Sequence, residues 1–269
     1  MIVRNDQSYF LFRHNYKGLT VGFTTRAGGI STEDGYKSLN LGLHTADSNE
    51  LVLKNRFIFS EKLCEIPDNI IFMDQTHSDN IIFLKKKKED NGFFKIDNAL
   101  KNTDAVITKL KDTVLCAMTA DCVPVLIYEK NSNIIAAVHS GWKGCVRNIT
   151  LKTIFKICEI GKLKDLSGFT VFIGPCICGN CYEVGNEFAE NIKKTYTEFM
   201  SFLSVKPGGK IYFNLKQSII IPLINAGVIK NNIFDSGLCT YENPSIFFSH
   251  RKNNISGRIA GFVKFGDLK

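Results

Sequence analysis

Two histidines and a cysteine carry the clearest chemistry in this chain. They are His77 in Gln75-Thr76-His77-Ser78, Cys122 in Ala120-Asp121-Cys122-Val123-Pro124, and His139 in His139-Ser140-Gly141-Trp142-Lys143-Gly144. Two imidazoles and a thiolate form a typical zinc ligand set. Three protein ligands leave a fourth tetrahedral position for water or substrate, as a catalytic metal requires. None of the three lies in a C-x-x-C or H-E-x-x-H pattern that would fix the reading. An isolated His or Cys is more often a packed interior residue, so that alternative stands beside the metal one. Cys122 as nucleophile with His139 as base, in a metal-free hydrolase, is a further reading of the same proximity.

The elements around these residues must bring them together. Val123–Tyr128 and Ile134–Val138 are apolar, β-rich runs separated by the polar stretch Glu129-Lys130-Asn131-Ser132-Asn133, which reads as a β-hairpin. A turn centred between residues 130 and 131 sets Cys122 opposite His139, with Cα atoms about 4.5–5.5 Å apart. A shift of half a residue in that centre would flip the facing. His77 follows the apolar run Ile70-Ile71-Phe72-Met73 and is expected to arrive from a neighbouring strand end.

Strands are expected near 70–73, 80–84, 104–108, 113–119, 123–128, 134–139, 169–173, 228–234, 245–248 and 258–265. Asp47 with Glu50 reads as a box-like helix start. Further helices are expected near 142–160, 184–200 and 214–225, with Gly161 stopping the first and Asn214 capping the last. Strands and helices mix without a regular βαβ rhythm. The fold class expected is therefore α+β, a single domain over residues 1–269 of mixed β-sheets covered by helices.

Composition narrows the classes. The chain has 269 residues, enough for a large core. No apolar run reaches the roughly 18–20 residues of a membrane span, and Met1-Ile2-Val3-Arg4-Asn5-Asp6 lacks a basic-then-apolar leader. The expectation is a cytoplasmic protein. Nine cysteines, an odd count without a repeating framework, suit reduced thiols. The net charge of +8 suits an anionic substrate. Lys85-Lys86-Lys87-Lys88 reads as a solvated loop, with no motif for specific nucleic-acid binding. Cys176, Cys178 and Cys181 read as structural thiols in preference to a second metal site or a redox pair, since no fourth ligand stands near them in sequence.

The chain resembles the YfiH-like family, also called laccase-domain or multicopper polyphenol oxidase proteins. The resemblance runs through Thr24–Ser31, Asn40–His44, Gln75–Ser78, Asp104–Thr108, Ala120–Pro124, His139–Gly144, Gly174-Pro175, Cys181–Gly185, Asp235, Cys239-Thr240 and Phe248–Arg251. It covers nearly the whole chain, in order. It implies a layered α/β/β/α fold and a zinc ion held by His77, Cys122 and His139. It also implies purine nucleoside phosphorylase activity on adenosine, inosine and methylthioadenosine, with inorganic phosphate as co-substrate and adenosine deamination alongside. Relatives are linked to editing of peptidoglycan precursors, which gives an alternative hydrolase role. Copper oxidation is poorly provided for, because the five histidines include no His-x-His pair.

Asp121, Cys122 and His139 are the expected catalytic residues. Asp121 neighbours Cys122 and is a candidate to orient a histidine ligand or to move a proton. Arg26, Lys143 and Arg251 are expected to bind phosphate, the arginines through their bidentate fork and Lys143 at the start of a helix. Asn40 and His44 are candidates for sugar or base contacts. Gln75 shares a strand face with His77 and is a candidate to orient substrate.

Overall fold

A computed structural model describes residues 3–6, 9–12, 18–87 and 91–266. Two six-stranded sheets dominate. The first runs β1 (Val3–Asp6), β2 (Tyr9–Phe12), β3 (Leu19–Thr24), β15 (Ile259–Phe265), β7 (Val114–Thr119), β4 (Ile70–Ile71). The second runs β14 (Ile233–Asp235), β10 (Phe169–Ile173), β8 (Val123–Glu129), β9 (Ile134–Ser140), β6 (Ala105–Thr108), β5 (Ile81–Leu84). Most pairs are antiparallel; β4 with β7, β10 with β14, and β5 with β6 are parallel. A small third sheet joins β11 (Glu183–Val184), β13 (Ile211–Phe213) and β12 (Leu203–Val205).

The central strands are buried along their whole length because both of their faces are covered, which explains their unbroken apolar runs. On β8 and β9, Leu126, Ile135 and Ala137 face Val21, Leu115 and Val263 of the first sheet across a shared apolar interior. The alternate residues Val123, Val125, Ile127, Ala136 and Val138 face helices instead. Those helices are α2 (Trp142–Val146), α3 (Ile149–Gly161), α4 (Asn186–Thr195) and α5 (Gln217–Asn225). On the far side, Phe59 of α1 (Asn49–Lys62) packs on Val114, Cys116 and Phe262. The layers are thus α/β/β/α, the mixed arrangement expected.

Several local expectations change. The hairpin register sets Pro124, not Cys122, opposite His139. The turn is centred one residue later because the buried Glu129 carboxylate accepts the amides of Asn131 (3.0 Å) and Ser132 (2.7 Å) and so extends it. A whole-residue shift preserves facing, so Cys122 stays diagonal to His139. The helix expected over 142–160 is two helices, broken where Asn148 takes a left-handed φ of 57°. Gly161 ends the second, as expected. Asp47 does not start α1 through a box. Its carboxylate instead accepts from Ser31 Oγ (2.7 Å) and Asn40 Nδ2 (3.0 Å). Asn214 does receive the Gln217 amide at 3.0 Å. The expected helix over 184–200 is α4 followed by a 3-10 turn at Thr197–Phe202. Residues 245–248 form turns, not a strand, and 230–232 form a 3-10 turn ahead of β14. Lys85, Lys86 and Lys87 are exposed, in keeping with a solvated loop; Lys88 lies outside the described residues. Among the described residues no helix is long and apolar enough to cross a membrane.

Candidate metal centre

The two large sheets deliver the three ligands to one end of the sandwich. His77 lies six residues beyond β4 of the first sheet, Cys122 in the crossover from β7 to β8, and His139 near the end of β9 of the second sheet. Their donor atoms all lie within 4.8 Å of one another. The two imidazoles meet edge to face, with ring centroids 4.8 Å apart. His139 is buried, Cys122 half-buried and His77 open to solvent, so the cluster faces outward on the His77 side.

Asp104 is the hub of this arrangement. Its backbone precedes β6 and pairs with His139, whose amide donates to the Asp104 carbonyl at 2.8 Å. Its Oδ1 lies 2.7 Å from His139 Nδ1 and accepts the His77 amide at 3.2 Å. Its Oδ2 accepts from the Ser78 amide (2.7 Å), Ser78 Oγ (2.6 Å) and the Thr76 amide (3.2 Å). One carboxylate thus orients one histidine and shapes the loop that presents the other. A carboxylate on Nδ1 leaves the opposite ring nitrogen for an ion, the usual support of a metal-bound histidine. His77 itself takes a left-handed φ of 58°, a costly conformation that the Asp104 bonds hold in place.

Gly141 completes the cradle. A Cβ at that position would sit 2.3 Å from His77 Nδ1 and 3.1 Å from Cys122 Sγ. Only glycine lets the start of α2 approach so closely. Partial desolvation of its ring and the charges of His139, Lys143 and Arg258 outweigh that of Asp104 and lower the His77 pKa to about 4, which keeps its lone pair free for a ligand role. Burial also acts to lower His139, but charge at Cys122 and the Asp104 carboxylate outweigh it and raise that group to about 9. The soft donor set, the oriented imidazole and the glycine cradle all fit a metal ion.

The structure sorts the other expected residues. Asp121 is not on a histidine. Its carboxylate accepts from Thr240 Oγ1 (2.6 Å) and the Arg251 amide (2.6 Å), on a backbone with a φ of 91°. The orienting role falls to Asp104 because Asp104, not Asp121, is the cross-strand neighbour of His139. Arg26 commits three of its five N–H donors to the fold: Nε, Nη1 and Nη2 donate to the carbonyls of Lys37 (2.8 Å), Pro244 (2.6 Å) and Asp34 (3.4 Å), and its guanidinium lies over Phe248. Asn40 is fully buried, its Nδ2 donating to Thr45 and Asp47 and its Oδ1 accepting the amides of Gly42 and Arg258. Gln75 pairs with the backbone of Met118 in both directions, at 2.7 and 2.8 Å. It therefore fixes the approach to His77, with one N–H of its amide committed to the backbone.

Lys143 is exposed beside Trp142 and close enough to His77 to depress its pKa. The helix it opens is a single short one. His44 is solvent-exposed, and partial desolvation of its ring together with the charges of Arg258, Arg56 and His139 lowers its pKa to about 4. Arg251 lies over Tyr182 and lines a cavity of about 470 Å³ with Cys181, Glu183, Val184, Gly185 and Tyr241. The Arg251 amide donates to Asp121 Oδ2 at 2.6 Å, which ties this wall to the residue next to Cys122.

Sequence reasoning missed two residues as site members. Asp104 was visible as the acidic residue opening an apolar strand, but its pairing to His139 depends on the non-adjacent β6–β9 register. The Arg258 charge is felt at His44 and His77, whose pKa values it helps to lower. Its Nη1 donates to Ser256 and Gly257, and its Nε and Nη2 have no hydrogen-bond partner among the described residues. It is only half-buried.

Residues 20–266 match the family model described as multi-copper polyphenol oxidoreductase laccase. The chain belongs to this family. It is 30% identical over 258 residues to the purine nucleoside phosphorylase YlmD of Bacillus subtilis, covering 96% of this chain and 92% of that protein. It is 30% identical over 238 residues to adenosine deaminase RL5 of an unknown prokaryotic organism, covering 88% and 90%. The fold superposes on the crystal structure of Bacillus licheniformis YfiH, a hypothetical protein, with a TM-score of 0.88 at 30% identity, covering 97% of this chain and 98% of that one. Relatives of this family thus carry enzyme names of two kinds, and a family member with clustered His and Cys donors is suited to a metal.

Proposed function

We propose that this family member is a zinc-dependent purine nucleoside phosphorylase. In this reading it converts adenosine, inosine and methylthioadenosine to free base and the ribose 1-phosphate product, with adenosine deamination as a side activity. The observation that carries the reading is the convergence of His77, Cys122 and His139 under the Asp104 carboxylate, in a chain similar to both a phosphorylase and a deaminase. Two imidazoles and one thiolate suit zinc, with one position left open. Held there by His77, Cys122 and His139, zinc would supply Lewis acidity and a water of lowered pKa for deamination at the purine carbon that bears the amino group.

The residues themselves answer the needs of phosphorolysis. Cleavage at the anomeric carbon builds positive charge on the sugar, so an anion must be held beneath it. Arg258 and Lys143, both close to His77, are the cations that hold phosphate; the free Nε and Nη2 of Arg258 present a fork for two oxygens. Arg251 and Tyr182 form the opposite wall. His44, held neutral, is a donor or acceptor for the sugar or base. Asp121 anchors Arg251 and Thr240 and acts as a positioning residue.

The test is incubation of metal-loaded protein with adenosine and phosphate, followed by chromatography. Adenine with ribose 1-phosphate is expected, with a smaller amount of inosine. Absence of all three products would overturn the proposal. A second reading draws on one observation: Asp104, His139 and Cys122 stand in a row, since His139 bonds Asp104 at 2.7 Å and its ring lies within 4.8 Å of the Cys122 sulfur. That is the arrangement of a cysteine hydrolase. Full activity in protein shown to hold no metal would favour it.

A further inference from the structure

A second cluster of soft donors lies outside the centre described above. Cys178, Cys181, Cys239 and Glu242 bring three sulfurs and a carboxylate within 4.8 Å of one another. Cys178 and Cys181 have no further ligand near them in sequence. The missing partners come from a segment 61 residues later in the chain. Cys176, the third cysteine of the sequence run, is not in the cluster.

The local backbone is built for convergence. The amides of Cys181 and Tyr182 both donate to the Cys178 carbonyl at 3.0 Å, closing a tight turn. The Asn243 amide (3.2 Å) and its Nδ2 (2.8 Å) both donate to the Cys239 carbonyl, closing a second. Each turn presents two donors three residues apart. Two such turns facing one another are how small zinc sites assemble four ligands. The turns are locked in register by a parallel bridge between Cys176 and Cys239, through Cys176 N to Leu238 O (3.3 Å) and Thr240 N to Cys176 O (3.1 Å). The Cys178 amide donates to Cys239 Sγ at 3.3 Å, a bond that favours the thiolate form of that sulfur. Cys181 Sγ lies 3.5 Å from Glu242 Oε1.

We infer that Cys178, Cys181, Cys239 and Glu242 form a second, structural metal site that holds one zinc ion through three sulfurs and one carboxylate oxygen. Three thiolates and a carboxylate select a borderline-soft, tetrahedral ion. They fall one thiolate short of the four that iron–sulfur clusters ordinarily use. All four positions are filled by protein, the mark of a structural ion as opposed to a catalytic one. Binding releases the thiol protons to solvent and requires reduced cysteines.

The site has a clear mechanical task. The two turns it joins also grip Asp121. The Ile177 amide donates to the Asp121 carbonyl at 3.0 Å, and Thr240 Oγ1 donates to its carboxylate at 2.6 Å. The ion therefore clamps the two arms that hold the residue next to Cys122, together with the wall formed by Tyr182 and Arg251.

The experiment is elemental analysis of the full-length protein, prepared under reducing conditions with stoichiometric zinc and freed of excess. Two zinc ions per chain are expected for the wild type. One is expected for Cys181→Ser and one for Cys122→Ser, so the two sites report separately. Glu242→Gln, which keeps all three sulfurs and the fold, is expected to bind zinc at this site about tenfold or more weakly. Cobalt added to Cys122→Ser protein is expected to give the strong charge-transfer absorption of several thiolates on one ion. A single zinc in the wild type that survives Cys181→Ser would overturn the inference. So would a metal-free Cys178–Cys181 disulfide under reducing conditions, or iron with inorganic sulfide in place of zinc.

Discussion

Asp104→Asn tests the hub of the candidate centre. The two oxygens of Asp104 serve different partners: Oδ1 takes His139 Nδ1 and the His77 amide, and Oδ2 takes the Thr76 amide and both donors of Ser78. Asparagine keeps the shape but turns one oxygen into a donor. If the amide nitrogen replaces Oδ2, it meets two backbone N–H groups that then lack an acceptor. If it replaces Oδ1, it confronts His139 Nδ1, which must give up its proton. That proton moves to Nε2, the nitrogen an ion needs. Bonds to a charged acceptor contribute about 1.5–3 kcal/mol each. Either orientation therefore removes about 2–4 kcal/mol of stability, counting one bond lost and others weakened. Loss of such a supporting carboxylate also lowers metal affinity about 10–100-fold. Denaturant unfolding measures the first effect and competition with a chromophoric chelator the second. Metal affinity within about twofold of wild type, with an unchanged unfolding midpoint, would refute the reasoning.

Gly141→Ala places a methyl against His77 Nδ1; displacement of the ligand by about 1 Å is expected to reduce turnover about 100-fold, read by steady-state kinetics, with circular dichroism unchanged. Arg258→Ala is expected to raise the phosphate KM, whereas Arg26→Ala is expected to leave that KM alone and to lower stability by about 2–3 kcal/mol, because its donors hold three backbone carbonyls. A pH effect is expected at the nearly buried Glu65–Lys264 pair. Burial acts to raise the Glu65 pKa, but the bonds from Lys264 and Asn69 prevail and lower it. The pair therefore stabilises the fold above the ordinary carboxylate value near 4.3 and ceases to do so as acidity takes the pH through the lower folded value. Glu65→Gln should cost about 1–3 kcal/mol at pH 7, and thermal melts should show the gap closing below pH 4.

Much of this architecture was legible in the sequence because buried strands write long apolar runs. The segments 104–108, 113–119, 123–128 and 134–139 announce themselves by composition. What escaped was pairing between elements distant in sequence. Asp104 meets His139 across β6 and β9, and Cys178 meets Cys239 across two loops; neither spacing contains that information. The hairpin erred by one residue because Glu129 was read as part of a polar turn, when its buried carboxylate ends the strand and extends the turn. Arg26 and Asn40 look like binding residues by type. Their donors are instead committed to loops that have no regular ladder to satisfy them, a demand invisible until the loops are placed.

The crossover between the sheets has a consequence for how the molecule forms. His77 follows a strand of one sheet, His139 ends a strand of the other, and Cys122 sits on the link between them. No single hairpin can assemble the ligand set by itself. An ion arriving early in folding would find at most two of its partners, so full affinity develops only when β5 and β6 have joined the β8–β9 hairpin. The rate at which the centre acquires metal should then follow the slow, long-range step of folding and not the concentration of free metal, once that exceeds what the finished site requires.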